Sequence, residues 1–130
     1  MGPVNWLAVI LAANLAVAVR IVWSGPLAGR AGLIAAPPAF GAPRRRVNWL
    51  AMIVLLLVSA TMLGHMFARL SPGKPWLYFM MAGGVAVTFV APALWIALGA
   101  AAVPPRVRAS ECGYWIVAFL AMGATFWALS

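Results

Sequence analysis

Four long apolar runs, Val4 to Trp23, Val47 to Phe67, Trp76 to Leu98 and Cys112 to Leu129, take up most of this 130-residue chain. A helix needs about 20 mostly apolar residues to cross roughly 30 Å of hydrocarbon, and each run is of that order. Only 8% of the residues are charged, where a soluble domain carries about 25%, and the mean hydropathy is +1.04. The solvent for such a chain is a bilayer. In lipid every backbone N–H and C=O must find its partner within the segment itself, so the runs predict α-helices, and the two-residue alternation of barrel strands is missing from them. The expected fold class is all-α: an integral membrane bundle of four transmembrane helices, one domain over residues 1–130, with helices at about 4–23, 47–67, 76–98 and 112–129.

The connecting segments, residues 24–46, 71–75 and 103–110, are rich in Gly, Pro and Arg, which mark turns and loops, and they leave no room for a second domain. The net charge is +8, from nine Lys and Arg against one acid. These cations lie at helix ends and in loops instead of forming a continuous basic face, which argues against nucleic acid as a partner. The first and third loops hold Arg30, Arg44, Arg45, Arg46, Arg106 and Arg108, with Arg20 close by; the second holds Arg69 and Lys74. The positive-inside rule then puts the first and third loops in the cytoplasm and both termini on the outer, periplasmic side of a bacterial inner membrane. The Arg44–Arg46 tract also suits contact with anionic lipid headgroups. No basic region precedes the first run, so it reads as a retained helix and not as a cleaved signal. A single cysteine excludes an intrachain disulfide and any CxxC motif.

VNWLAVI at residues 4–10 recurs as VNWLAMI at residues 47–53. In each copy an asparagine, Asn5 or Asn48, stands where it can cap the first turn of a helix, and a tryptophan, Trp6 or Trp49, stands at the level of the headgroups. Trp23, Trp76, Trp115 and Trp127 also fall near helix ends as interfacial anchors, and Trp95 lies within three residues of one. Consecutive spans run antiparallel, so the two copies should occupy opposite membrane faces. The likeness fades after Ile10 and Ile53, which favours a structural device used twice over a duplicated transport site.

Few polar residues lie within the runs, and ionisable groups there are the first candidates for function. Arg20 and the single acid, Glu111, belong to the same end of the bundle. Either they pair, if the first and fourth helices are neighbours, or Arg20 snorkels to the interface independently while Glu111 opens the fourth helix against its N-terminal dipole. His65 supplies one ligand at most, so it is a packing residue or, as the alternative, a ligand or pH-sensing group. Asn14, Ser59, Thr61 and Thr88 can hydrogen-bond between helices or to their own backbone. Pro92 lacks an N–H, leaves the Thr88 carbonyl without its usual partner and predicts a kink. That kink serves packing, or it lines a cavity together with Asn14 and Thr88. One His, one Glu and one Cys are too few for an acid, a base and a nucleophile, and no phosphate loop or metal cluster is present. The chain is therefore expected to be no enzyme and to carry no metal or cofactor.

The segments NWLAVILAA (5–13), IVWSGPLAGRAG (21–32), GGVAVTFVAPAL (83–94) and SECGYWIVAFLAMGA (110–124), in this order, resemble the bacterial membrane family catalogued as domain of unknown function 1761. Trp23, Pro26, Leu27 and Gly29 fit its pattern, and Arg30 stands where Lys is usual. Ser24, Ala28 and Gly32 replace aromatic positions, Arg20 replaces a small residue, and Glu111 and Cys112 occupy an Asp-Ala pair. The resemblance implies a small four-helix integral membrane protein and no established activity; if the aromatic positions form a family site, this chain lacks part of it.

Ala8, Ala12 and Ala16, at helical spacing, offer a face for close helix contact. The expected function is a non-enzymatic membrane protein working through helix association, as an accessory subunit of a complex or a homo-oligomer, with the lipid bilayer and other membrane subunits, or itself, as partners. The alternative is a small oligomeric transporter or channel for an uncharged or anionic solute, lined by Asn14, Thr88 and Pro92. A third reading is lipid or pigment binding between helices.

Overall fold

The computed structural model describes residues 3–27 and 42–130, with the backbone alone for residues 26 and 42–48. Among the described residues every regular element is a helix. Helix α1 (Trp6–Val22) runs into a π-helical turn, Trp23–Leu27. Helix α2 covers Ala42–Leu70. The third span consists of α3 (Pro75–Val85), a π-helical turn (Ala86–Val90) and α4 (Ala91–Ala100), and α5 covers Pro105–Ala128. Four stretches are long and apolar enough to cross a membrane: Trp6–Gly25, Trp49–Leu70, Pro75–Ala100 and Pro105–Ala128. The chain is a multi-pass membrane protein.

Two helix starts lie well upstream of the expected ones. Helix α2 begins at Ala42, so Asn48 sits inside a helix and is no N-cap. Helix α5 begins at Pro105, so Glu111 lies in its second turn instead of opening it. The physical reason is common to both. Arginine ends an apolar run but is a good helix former, and a proline is tolerated in a first turn, where its missing N–H would have no partner anyway. Hydropathy marks where lipid stops; backbone hydrogen bonding continues past that point. Arg30 and the side chains of Arg44, Arg45 and Arg46 lie outside the described residues, as do Ala28, Gly29 and Gly32 of the second motif.

The first VNWLA copy does act as an entrance. The Asn5 Oδ1 accepts the Ala8 N–H at 3.1 Å, and its Nδ2 donates to the Leu129 carbonyl at 3.0 Å, so the cap also ties the start of α1 to the end of α5. Trp6 meets His65 edge-on, ring centroids 6.2 Å apart. His65 lies sixteen residues beyond Trp49 on α2, about 24 Å at 1.5 Å per residue. The two copies therefore stand at opposite ends of the bundle.

Helix α5 is the hub. It packs against α1 and against the whole third span, while α2 packs mainly on α1. Its residues Tyr114, Ala118, Met122 and Phe126, each four apart, form the centre of the core together with Phe119. Facing them, Ala8, Ala12 and Ala16 of α1 are fully buried; their small side chains let large ones on α5 and α2 fill the space between helices. At the other end Phe67 bridges Tyr78 and Phe126, at centroid distances of 4.8 and 5.2 Å. Helix α5 comes close to the backbone of α3 at Gly123, where a Cβ would stand 3.0 Å from both the Tyr78 carbonyl oxygen and the Ala82 Cβ.

The turn into α5 is closed by Ala102, whose φ of 55° is left-handed. The Val103 N–H donates to the Leu98 carbonyl and the Ala102 N–H to Gly99, the paired bonds of a Schellman cap. This tight reversal sends the chain back along α4 and places α5 against the third span.

Replacing Gly123 with Ala should destabilise the bundle by about 1–3 kcal/mol, because backbone on α3 cannot yield as a flexible side chain does. Gly84→Ala, where nothing lies within 4 Å of the new methyl, should leave stability unchanged or slightly raised. Thermal unfolding of the two variants in a mild detergent checks the contrast.

Candidate functional site: a polar clamp joining α1 to α5

Arg20 occupies the last turn of α1, and Glu111 lies on the face of α5 that packs against it. The guanidinium and the carboxylate meet in two parallel hydrogen bonds, Nη1 to Oε2 at 2.6 Å and Nη2 to Oε1 at 3.1 Å. This fork geometry is the strong form of the Arg–carboxylate bond. The pair is partly shielded, with side chains 24% and 13% exposed, so it lies between the weak surface case and the buried case in which losing one partner strands a charge.

Tyr114 lies three residues, about one helical turn, beyond Glu111 and is almost fully buried. Its ring holds the Arg20 Cζ 4.6 Å from the centroid, a cation–π contact that places the guanidinium between an anion and an electron-rich face. The Tyr114 hydroxyl donates to the Ala16 carbonyl at 3.4 Å, one turn back along α1. Three residues beyond Arg20, the Trp23 Nε1–H donates to the Ser110 Oγ at 3.1 Å. The indole lies against Gly113, where a Cβ would come within 3.3 Å of it. The Ser24 hydroxyl donates to the Arg20 carbonyl at 2.6 Å. In the π-helical turn that ends α1, this bond adds to the one that the Arg20 carbonyl accepts from the Trp23 backbone N–H.

Helix α5 is tied to the third span at the same end. The Arg108 Nε donates to the Val103 carbonyl at 2.7 Å, and its Cζ lies 5.3 Å from the Trp95 ring centroid. The Cys112 thiol donates to the Ala91 carbonyl at 3.4 Å. Just before Pro92 the Ala91 N–H reaches the Ala86 carbonyl, five residues back. This one-residue widening is how the helix accommodates a proline that cannot continue the ordinary ladder.

The other sequence candidates lie apart from this cluster. Asn14 and Thr88 are exposed, and each donates to the carbonyl four residues earlier, Ile10 at 2.9 Å and Gly84 at 2.7 Å. Pro92 is exposed as well. His65 is at the opposite end, exposed, with its Nδ1 2.9 Å from the Thr61 carbonyl. Among the tryptophans, Trp6, Trp76 and Trp127 are well exposed, whereas Trp23 and Trp115 are packed in part against the core. Trp49 is half-buried. Tyr114, Ser110 and Arg108 escaped the sequence reading as partners. The available signal was the three- and four-residue spacing of Val107, Ser110, Glu111 and Tyr114, which puts them on one face of a helix once its start is placed at Pro105.

A family model described as "Protein of unknown function (DUF1761)" matches residues 7–127. The chain belongs to the DUF1761 family. No curated protein and no solved structure matches it. The DUF1761 match takes in every residue of the clamp and all four spans but for one residue at each outer end, so the matched region is the helical bundle itself.

Replacing Glu111 with Gln should lower stability by about 1–3 kcal/mol, between the values for exposed and buried pairs. Ser110→Ala, which removes one neutral hydrogen bond, should cost about 0.5–1.5 kcal/mol. Unfolding of each variant in detergent measures both; an unchanged midpoint for Glu111→Gln would mean that the pair does not hold α1 to α5.

Proposed function

We propose that this DUF1761 protein is a non-enzymatic component of the bacterial inner membrane that works by helix association, as an accessory subunit of a larger complex or as a homo-oligomer. One observation carries the proposal: the only acidic side chain of the sequence is held in a two-bond clamp by Arg20. Both carboxylate oxygens are thus taken up in fastening one helix to another. The polar groups around it, Tyr114, Trp23 and Ser110, are likewise occupied with fastening α1 to α5. What the bundle offers to its surroundings is long, preformed helix faces, set in the membrane by tryptophans and arginines. In this reading both termini face the periplasm, with Arg20, Arg106 and Arg108 at the cytoplasmic end and Arg69 and Lys74 at the other.

Two measurements test the proposal. A C-terminal alkaline phosphatase fusion should be active and a C-terminal green fluorescent protein fusion dark; the reverse pattern would invert the topology. Native mass spectrometry after extraction in mild detergent should find the chain in assemblies of fixed stoichiometry, with itself or with other membrane subunits. A monomer under every extraction condition would contradict the association role.

A further inference from the structure

The face of α1 turned away from the bundle has a pattern that the packing of the monomer does not use. Its inner face, Ala8, Val9, Ala12, Ala13 and Ala16, is buried. On the outside Leu7, Leu11, Asn14, Ala18 and Ile21 are all exposed, separated by four, three, four and three residues. This is the alternation of a coiled-coil seam. Its one polar member, Asn14, lies within about 3 Å of the midpoint of the Trp6–Gly25 span along the helix axis.

Asn14 carries two N–H donors and a carbonyl acceptor. One N–H is satisfied by the Ile10 carbonyl at 2.9 Å; the other and the Oδ1 have no partner among the described residues. At mid-depth in a bilayer neither water nor lipid tails can supply one, and an unpaired amide there is costly. Ser59, Thr61 and Thr88 differ in this respect, because each has a single O–H and commits it to the carbonyl four residues earlier. Asn14 is thus an outward-facing group with surplus hydrogen-bonding capacity.

We infer that this seam is the contact surface for a second copy of the same chain, joined along α1 with Asn14 against Asn14. All copies insert with one topology, so their α1 helices run parallel and their Asn14 side chains sit at equal depth. A twofold axis along the membrane normal brings the two carboxamides together, and because each is both donor and acceptor, each supplies what the other lacks. A single asparagine within an apolar heptad seam also sets register and favours two strands. The inference deepens the association reading and rests on it, committing that reading to a homodimer and to one helix.

Disulfide trapping in native membranes tests it. In a Cys112→Ser background, single cysteines are placed on the seam (Leu7→Cys, Leu11→Cys, Ala18→Cys, Ile21→Cys) and on other exposed faces (Leu55→Cys, Val58→Cys, Phe89→Cys), then oxidised with copper phenanthroline. The seam positions should yield cross-linked dimers and the others should not. In native mass spectrometry Asn14→Leu should weaken the dimer about tenfold, as expected for losing an interhelical polar pair, and Asn14→Gln should retain it. A dimer that cross-links through α2 or the third span, or one indifferent to Asn14→Leu, would overturn the seam and leave association standing. So would a heterologous subunit that protects the α1 cysteines. A monomer without partners would overturn both.

Discussion

The Arg20–Glu111 pair is the interaction on which the arrangement of this bundle turns. Apolar helices in a bilayer gain little from one another by hydrophobicity, since lipid tails are as apolar as leucine side chains. Close packing and polar contacts must decide which helices meet and at what register. Here the only acid of the chain sits on α5, its nearest cation partner sits on α1, and their two-bond geometry allows little sliding or rotation of one helix on the other. Tyr114 below the guanidinium and the Trp23–Ser110 bond above it extend that constraint over more than a turn of α5. At the far end the Asn5 side chain caps α1 and reaches the Leu129 carbonyl, so α1 and α5 are pinned at both ends. Between those pins the alanine face of α1 and the aromatic face of α5 need only fit.

With α5 fixed against α1, the other spans follow. The Schellman turn at Ala102 brings the third span alongside α5, and Gly123 allows the backbones of α3 and α5 nearly to touch. Helix α2 completes the bundle by laying Leu56, Ala60 and Leu63 against α1. The interior therefore uses most of its polar groups as fasteners, and the lipid-facing surfaces hold the groups left over. That division supports an association role, and it makes Asn14, the outward amide with bonds unmet among the described residues, the residue through which such association is most economically explained.

Much of this was legible in the chain itself, and the rest was obscured for identifiable reasons. The four spans follow from runs of apolar residues, because span length is set by bilayer thickness. The pairing of Arg20 with Glu111 was open to inference because a chain with one acid at the right end leaves few alternatives; that they do meet depends on α1 and α5 being neighbours, which hydropathy does not encode. The starts of α2 and α5 were misplaced because arginine stops an apolar run without stopping a helix. Asn48 shows the cost of that error: it repeats the Asn5 motif, yet the helix around it begins at Ala42 and deprives it of the capping position. Tyr114 carries no charge to single it out among apolar neighbours, and its contact with Arg20 appears only when α5 is extended back to Pro105 and Glu111 and Tyr114 fall on one side.

The most direct measurement of the central claim is a double-mutant cycle on the clamp, with Arg20→Met, Glu111→Gln and the double variant unfolded in the same detergent. If the two side chains act on each other across the α1–α5 contact, the losses will be strongly non-additive, with a coupling of at least about 1 kcal/mol and a double variant more stable than the sum of the single losses implies. Additive losses would show that each residue acts alone at its own interface, and would contradict the account of an α1–α5 contact whose register is set by this ion pair.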